Sequence, residues 1–296
     1  MESEKAKSKS MVRELSNTIF GDCLVEMGKI DDSSVDLILT DPPYIISKNT
    51  GMENFSNFVK GVTSNTKTLD DWDVYAANHK KSSKTFELTD EMKNNYLRYG
   101  TIYGKKYAVK TEFGDWDDDF TMDDLELFVE LSYQKLRNGG TFIVFFDIWK
   151  ITYLKDIMEH KGFKQLRFIE WIKTNPQPRN SKVNYLTNCR EIALLGIKKS
   201  KPTFNSSYDN GIYKYPIYSG KDRMHPTQKS LDLFKDIIKK HSNENDLVLD
   251  PFMGSGTTCV AAVETNRRTI GIEQNEEFYK KATDRINQRA SILKFT

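Results

Sequence analysis

The chain has 296 residues, with Lys+Arg 44 against Asp+Glu 42 and a formal net charge of +2. That length suits one large decorated α/β domain or two smaller ones, and the near-neutral balance means that any basic surface must be local. Hydrophobic residues at 38% and charged ones at 29% describe a globular chain rather than a disordered one; no apolar run is long enough for a membrane span, and Cys23, Cys189 and Cys259 stand too far apart for a disulfide framework or a zinc site.

Residues 1–16 read as a solvated tail without a signal-peptide core, and residues 17–296 as the folded domain. A reducing cytoplasm is the expected compartment. Val35 to Thr40 is a short apolar run stopped by Asp41-Pro42-Pro43, which predicts a buried strand running into a loop. Residues 45–113 are rich in Lys, Asn, Ser, Thr and Tyr, with little helical periodicity before Leu88, and read as a long functional insertion. Regular alternation then begins. Thr121 caps a helix to about Arg137, ended by Gly139-Gly140, and Thr141 to Phe146 is a continuous β-branched and aromatic run, the mark of a fully buried strand. A helix over 149–161 closes at Gly162. Strands follow at Leu166–Ile172 and Glu191–Ile197, with a proline-rich loop between them.

Residues 198–224 interleave lysines and arginine with Phe and Tyr, a pattern suited to phosphate contact and base stacking. A helix from Pro226 to about His241 leads to a strand at Asp246–Asp250, a glycine loop, a helix of small residues from Thr258, a strand at Thr269–Glu273 and a last helix from Glu276. Alternating strands and helices predict a mostly parallel, twisted sheet covered on both faces, a three-layer α/β fold.

Two sites carry chemistry. The first is Asp250-Pro251-Phe252-Met253-Gly254-Ser255-Gly256-Thr257-Thr258, which joins a strand to a helix. Glycines there let the backbone approach a ligand closely, and Glu273 at the next strand end can accept both hydroxyls of a ribose. The loop lacks the lysine of a P-loop and the third glycine of a dinucleotide fingerprint, so a nucleoside without phosphate fits best. The second is Asp41-Pro42-Pro43-Tyr44. An exocyclic amine on an aromatic base is a poor nucleophile because its lone pair is delocalised. A carboxylate (Asp41) and a rigid carbonyl (Pro42) that each accept one N–H draw the nitrogen towards tetrahedral geometry, and Tyr44 can stack on an extruded base.

Together, in this order, the two motifs resemble the S-adenosylmethionine-dependent amino-methyltransferases of DNA, in the permuted β group whose catalytic motif precedes the cofactor motif. The resemblance covers most of residues 17–290 and implies a Rossmann-like methyltransferase fold with an inserted DNA-recognition segment. It implies S-adenosylmethionine as cofactor, held by Asp22, the loop from Asp250 to Thr258, Glu273, and the His225-Pro226-Thr227-Gln228-Lys229 element through His225, Thr227 and Lys229. Ser230 stands where the family usually has proline, and Trp116-Asp117 also recurs in relatives. No metal is expected. The DNA contacts expected are Lys105 and Lys106 in the insertion, Lys173, Asn175 and Arg179 after the strand at Leu166–Ile172, and Lys198, Lys199, Lys201, Tyr213 and Tyr215 in the basic stretch. Asp-Pro-Pro-Tyr is commoner in adenine-N6 enzymes and Ser-Pro-Pro-Tyr in cytosine-N4 enzymes, so the resemblance favours adenine and leaves cytosine-N4, or a non-catalytic nucleic-acid-binding partner, as alternatives. The implied partners are double-stranded DNA, with single strands open, a second copy in a homodimer, and a cognate restriction endonuclease. The implied location is the cytoplasm, at the nucleoid.

Overall fold

The computed structural model describes residues 15–43, 67–82, 88–99, 120–177, 182, 184–186, 188–218, 220 and 228–292. It divides into two units, one of residues up to 44 and from 120 onward, the other of residues 45–119.

The larger unit holds β1 (Ser16–Phe20), α1 (Cys23–Gly28) and β2 (Val35–Thr40). After the second unit, with α2 (Leu69–Ser82) and α3 (Asp90–Tyr99), it resumes with α4 (Met122–Lys135), β3 (Leu136–Phe146) and α5 (Ile151–Lys161). Then come β4 (Phe163–Lys173), β5 (Arg190–Lys198), β6 (Ile212–Tyr215) and α6 (Leu231–His241), and finally β7 (Leu247–Asp250), α7 (Thr257–Glu264), β8 (Arg268–Glu273) and α8 (Glu276–Ile292). Among the described residues the strands form one sheet in the order β1-β8-β7-β2-β3-β5-β4-β6. Only β5 runs against its neighbours; every other pairing is parallel.

Both faces of the sheet are covered, as its continuous apolar strands require. Leu37 and Leu39 of β2 and Ile143 and Phe145 of β3 pack with Leu233, Phe234 and Ile237 of α6. Phe142 of β3 meets Phe128 of α4 edge-on at 5.6 Å. Small residues on α7 let α8 approach, and Val260 and Val263 close on Ala282 and Ile286. The expected cap is present: Thr121 accepts from Asp124 N–H, and Asp124 accepts in return from the Thr121 backbone. Gly162 ends α5 in the left-handed conformation at φ 102°, as its position predicted.

Four local expectations change. Ser16, placed in the tail, opens β1, which pairs with β8 from Ser16↔Thr269 to Phe20↔Glu273. Gly139-Gly140 does not end a helix but lies within β3, where a Cβ on Gly139 would sit 2.5 Å from the Lys201 carbonyl oxygen. The insertion contains a helix well before Leu88, with Trp72, Tyr75 and Tyr96 forming a ring cluster at centroid distances of 4.6–5.7 Å. The basic stretch contains a strand, β6, paired to β4. Among the described residues no helix is long and apolar enough to cross a membrane.

Candidate active site

β7 and β2 are neighbours in the sheet, yet β7 leads through α7 to β8 on one side while β3 lies beside β2 on the other. Chain direction therefore diverges between them, and a crevice opens beyond their carboxyl ends. Parallel strands bring Phe20, Thr40, Phe146, Lys173, Tyr215, Asp250 and Glu273 to that edge, and reversed β5 brings its first residues, Arg190 and Glu191.

On the β7 side, the loop after Asp250 turns back on itself, with Gly254 at φ 50° and Gly256 at φ 75°. The two glycines serve different ends. A Cβ on Gly256 would press on Ala282 at 3.2 Å, whereas one on Gly254 would meet nothing closer than 3.9 Å, so the space beside Gly254 is open. Glu273 accepts the Gly254 N–H through Oε2 and the Asn275 N–H through Oε1, each at 2.8 Å. Burial raises its pKa, and those backbone donors oppose the rise. Asp22 caps α1, accepting from Leu24 and Val25 N–H at 2.9 and 3.0 Å, both on Oδ1.

Asp250, Ser255, Thr257 and Thr258 are buried. Asp250 is buried; its Oδ1 accepts from the Thr40 hydroxyl at 2.7 Å and from Phe252 N–H at 3.2 Å. Thr258 donates to the Leu39 carbonyl at 3.3 Å, and Ser255 and Thr257 hydroxyls lie 3.2 Å apart. These side chains tie the loop to β2 and to itself. The expectation that they meet a cofactor directly is corrected for the Asp250 carboxylate, which the loop encloses. Pro251 is buried as well, and Phe252 packs its ring edge-on against Phe128 at 5.1 Å.

On the β2 side, Asp41 follows the strand directly, with Pro42 buried behind it. The proline ring fixes φ and stiffens the peptide that bears the carbonyl. Lys229 places its ammonium 2.9 Å from Asp41 Oδ2 and 2.5 Å from Glu191 Oε2. Sequence reasoning passed over Glu191. Its signal was a carboxylate at the entry of an otherwise apolar strand.

The DNA methylase family model matches residues 35–284, most of the chain. The chain belongs to the DNA methylase family. It is 28% identical over 292 residues to the type II methyltransferase M2.MboI of Moraxella bovis, covering 94% of this chain and 90% of that one. It is 29% identical over 288 residues to M2.LlaDCHI of Lactococcus lactis subsp. cremoris, covering 92% and 90%. Among solved structures, the M1.HpyAVI–SAM complex aligns with a TM-score of 0.57 at 25% identity, over 92% of this chain and 100% of that one.

This family transfers methyl groups to DNA amines, and its cofactor is S-adenosylmethionine. The residues present fit such a group: open space beside Gly254, a carboxylate at the end of β8 already oriented by two backbone donors, and a second carboxylate at Asp22. His225 and Thr227, and Tyr44 of the Asp-Pro-Pro-Tyr tetrapeptide, lie outside the described residues.

Of the expected DNA contacts, Lys198 and Tyr213 are corrected by their burial, and Lys199 and Lys201 by their place in the sheet. Lys198 is buried, and its ammonium donates to the Gln134 and Leu136 carbonyls at 3.1 and 2.7 Å. Because β5 is reversed, its last residue emerges at the sheet edge opposite the site, and Lys199 and Lys201 follow it there. Tyr213 is buried under Lys240, whose ammonium lies 4.3 Å from the ring, and burial pushes its hydroxyl up to about 12. Tyr215 donates its hydroxyl to Asp236 at 3.0 Å. Lys173 pairs with Glu191 at 2.5 Å, and the exposed Asn175 amide accepts from Ile217 N–H at 2.6 Å; both stay accessible at the edge where β4 ends. Arg179, Lys105 and Lys106 lie outside the described residues, as does Trp116-Asp117.

Proposed function

We propose that this chain is a sequence-specific DNA methyltransferase acting on the N6 amino group of adenine. The observation that carries the reading is the position of Asp41. It stands at the end of β2, one residue after Thr40, whose hydroxyl binds Asp250 at the root of the glycine loop. That bond ties the end of β2 to the glycine loop, which supports reading them as an amine acceptor beside a nucleoside cradle. The Asp-Pro-Pro-Tyr sequence, commoner in adenine-N6 members, supports adenine over cytosine.

When bound, S-adenosylmethionine supplies a methyl group already activated by its sulfonium. Glu273 would accept the ribose hydroxyls, Asp22 the adenine amino group, and the backbone around Gly254 would line the space between; His225 and Thr227 would flank the methionine end by family resemblance. Asp41 and the Pro42 carbonyl would each accept one N–H of the extruded target base, stacked on Tyr44. Two acceptors localise the nitrogen lone pair towards the reacting carbon, and the Asp41 charge stabilises the nitrogen as it turns positive, before its proton leaves to solvent. The protein's contribution is orientation and a fixed field.

Arg179, Lys105 and Lys106 remain the proposed phosphate contacts, with the insertion supplying sequence selection. Double-stranded DNA is the proposed substrate, the cytoplasmic nucleoid the proposed location, and a second copy and a cognate endonuclease the proposed partners. Single-molecule sequencing of plasmid DNA from cells that express the chain tests the reading. N6-methyladenine at one short motif is expected; N4-methylcytosine, or no modified base, would overturn it.

A further inference from the structure

Four charged side chains from four separate stretches of chain meet at the catalytic edge. Lys229, just before α6, bridges Asp41 Oδ2 at 2.9 Å and Glu191 Oε2 at 2.5 Å. Lys173, the last residue of β4, holds the other oxygen of Glu191 at 2.5 Å. The signs alternate from Asp41 through Lys229 and Glu191 to Lys173. The Lys229 side chain is only 8% exposed, and its ammonium also lies 5.1 Å from the centre of the Phe145 ring. A cation this dry must be matched by nearby negative charge, and the match must be geometrically good. Glu191 gives that match. Burial would raise its pKa, but Lys229 and then Lys173 outweigh burial and hold it below the ordinary carboxylate value.

We propose that Glu191 is a positioning residue for methyl transfer, acting through Lys229 to set the orientation and effective charge of Asp41. This deepens the proposed function and rests on Asp41 as acceptor of the target amine. The physical reason is a competition. The negative charge of Asp41 stabilises the amine nitrogen as it becomes positive. A lysine paired with Asp41 alone would cancel that charge where it is needed. Glu191 shares the ammonium, so Lys229 can lock one oxygen of Asp41 in place without neutralising the whole group. β5 is suited to this because it is the reversed strand: its start, not its end, enters the catalytic edge.

The test is steady-state methyl transfer to DNA by the full chain, with S-adenosylhomocysteine affinity measured separately by calorimetry. Glu191→Gln keeps size and removes charge. Its kcat is expected to fall by about a hundredfold, the scale of a small misplacement of a catalytic group. Its affinity for S-adenosylhomocysteine and its KM for DNA should stay at wild-type values. Glu191→Asp restores the charge and should recover part of kcat. In a Lys229→Met background, adding Glu191→Gln should lower kcat no further, because the two act as one unit. Wild-type kcat in Glu191→Gln, a parallel loss of kcat and cofactor affinity, no recovery in Glu191→Asp, or additive losses in the double variant would each overturn the proposal. Nucleoside analysis of the wild-type product reads the base separately. N4-methylcytosine there would overturn the adenine assignment, while the Glu191 comparison, which concerns any exocyclic amine, would still be read from the same kinetics.

Discussion

Replacing Asp250 with asparagine should stabilise the cofactor-free chain at neutral pH and weaken that gain in acid. Asp250 is 3% exposed, and burial raises its pKa from 3.8 to about 6 in the fold, with the charge of Asp41 adding to the rise and the Thr40, Thr258 and Phe252 hydrogen bonds opposing it. The folded-state pKa lies above the unfolded one. Between these values the folded chain holds a proton that the unfolded chain has released, so stability falls as pH rises through the window. At about 1.4 kcal/mol per pH unit, the full window amounts to about 3 kcal/mol, lost once pH exceeds the folded-state pKa. Asparagine is neutral throughout and its Oδ1 can still accept from Thr40 and Phe252. Urea unfolding of both proteins at pH 4 and pH 8 reads the effect, because titrating groups that do not interact with Asp250 cancel in the difference. The advantage of Asp250→Asn over wild type should be larger at pH 8 than at pH 4 by about 2.5 kcal/mol, because at pH 4 the unfolded carboxyl is already more than half ionised. S-adenosylhomocysteine affinity should be unaltered, since the carboxylate faces Thr40. A pH-independent difference, or a collapse of cofactor affinity, would refute this assignment of Asp250 as a loop anchor.

Three other substitutions separate cradle from scaffold. Glu273→Ala leaves the Gly254 and Asn275 N–H groups without their acceptor and removes the proposed ribose partner; calorimetry should show S-adenosylhomocysteine binding weakened by at least about tenfold, the equivalent of one charged hydrogen bond. Gly256→Ala combines a left-handed backbone with a 3.2 Å contact to Ala282; its melting temperature should fall, from about 1–2 kcal/mol of backbone cost plus crowding. Gly254→Ala carries the backbone cost without the crowding, so it should lose less stability and more cofactor affinity. Lys198→Met should lower stability without changing DNA affinity, and Lys199→Ala with Lys201→Ala should leave the salt dependence of DNA binding unchanged, because neither lies at the catalytic edge.

The sequence carried the layers of the fold well where side chains are buried on both sides. Val35–Thr40 and Thr141–Phe146 are near-continuous apolar runs, and such runs have few alternatives to a central strand. β6 was hidden because a four-residue edge strand with only Tyr213 buried has no pattern to show. The helix at Leu69–Ser82 was hidden because, among its described side chains, Trp72 alone is buried, which leaves no apolar face to read. The direction of β5 is a matter of topology, and nothing in Glu191–Ile197 encodes it locally. That direction decided two assignments at once: it carried Lys198, Lys199 and Lys201 away from the site, and it delivered Glu191 into it. Motif reading placed Asp41, Gly254 and Glu273 at the crevice, as expected from strand ends. It could not tell which motif side chains turn inward. The Asp250 carboxylate and the Thr258 hydroxyl look like ligand groups in sequence, yet they satisfy Thr40 and Leu39.

The most direct measurement is mass-spectrometric quantification of methylated nucleosides in DNA incubated with S-adenosylmethionine and either wild-type chain or Asp41→Ala. Wild type should produce N6-methyldeoxyadenosine. Asp41→Ala should produce none while binding S-adenosylhomocysteine as tightly as wild type. Transfer by Asp41→Ala at the wild-type rate would contradict the central claim, that this carboxylate makes the base amine reactive.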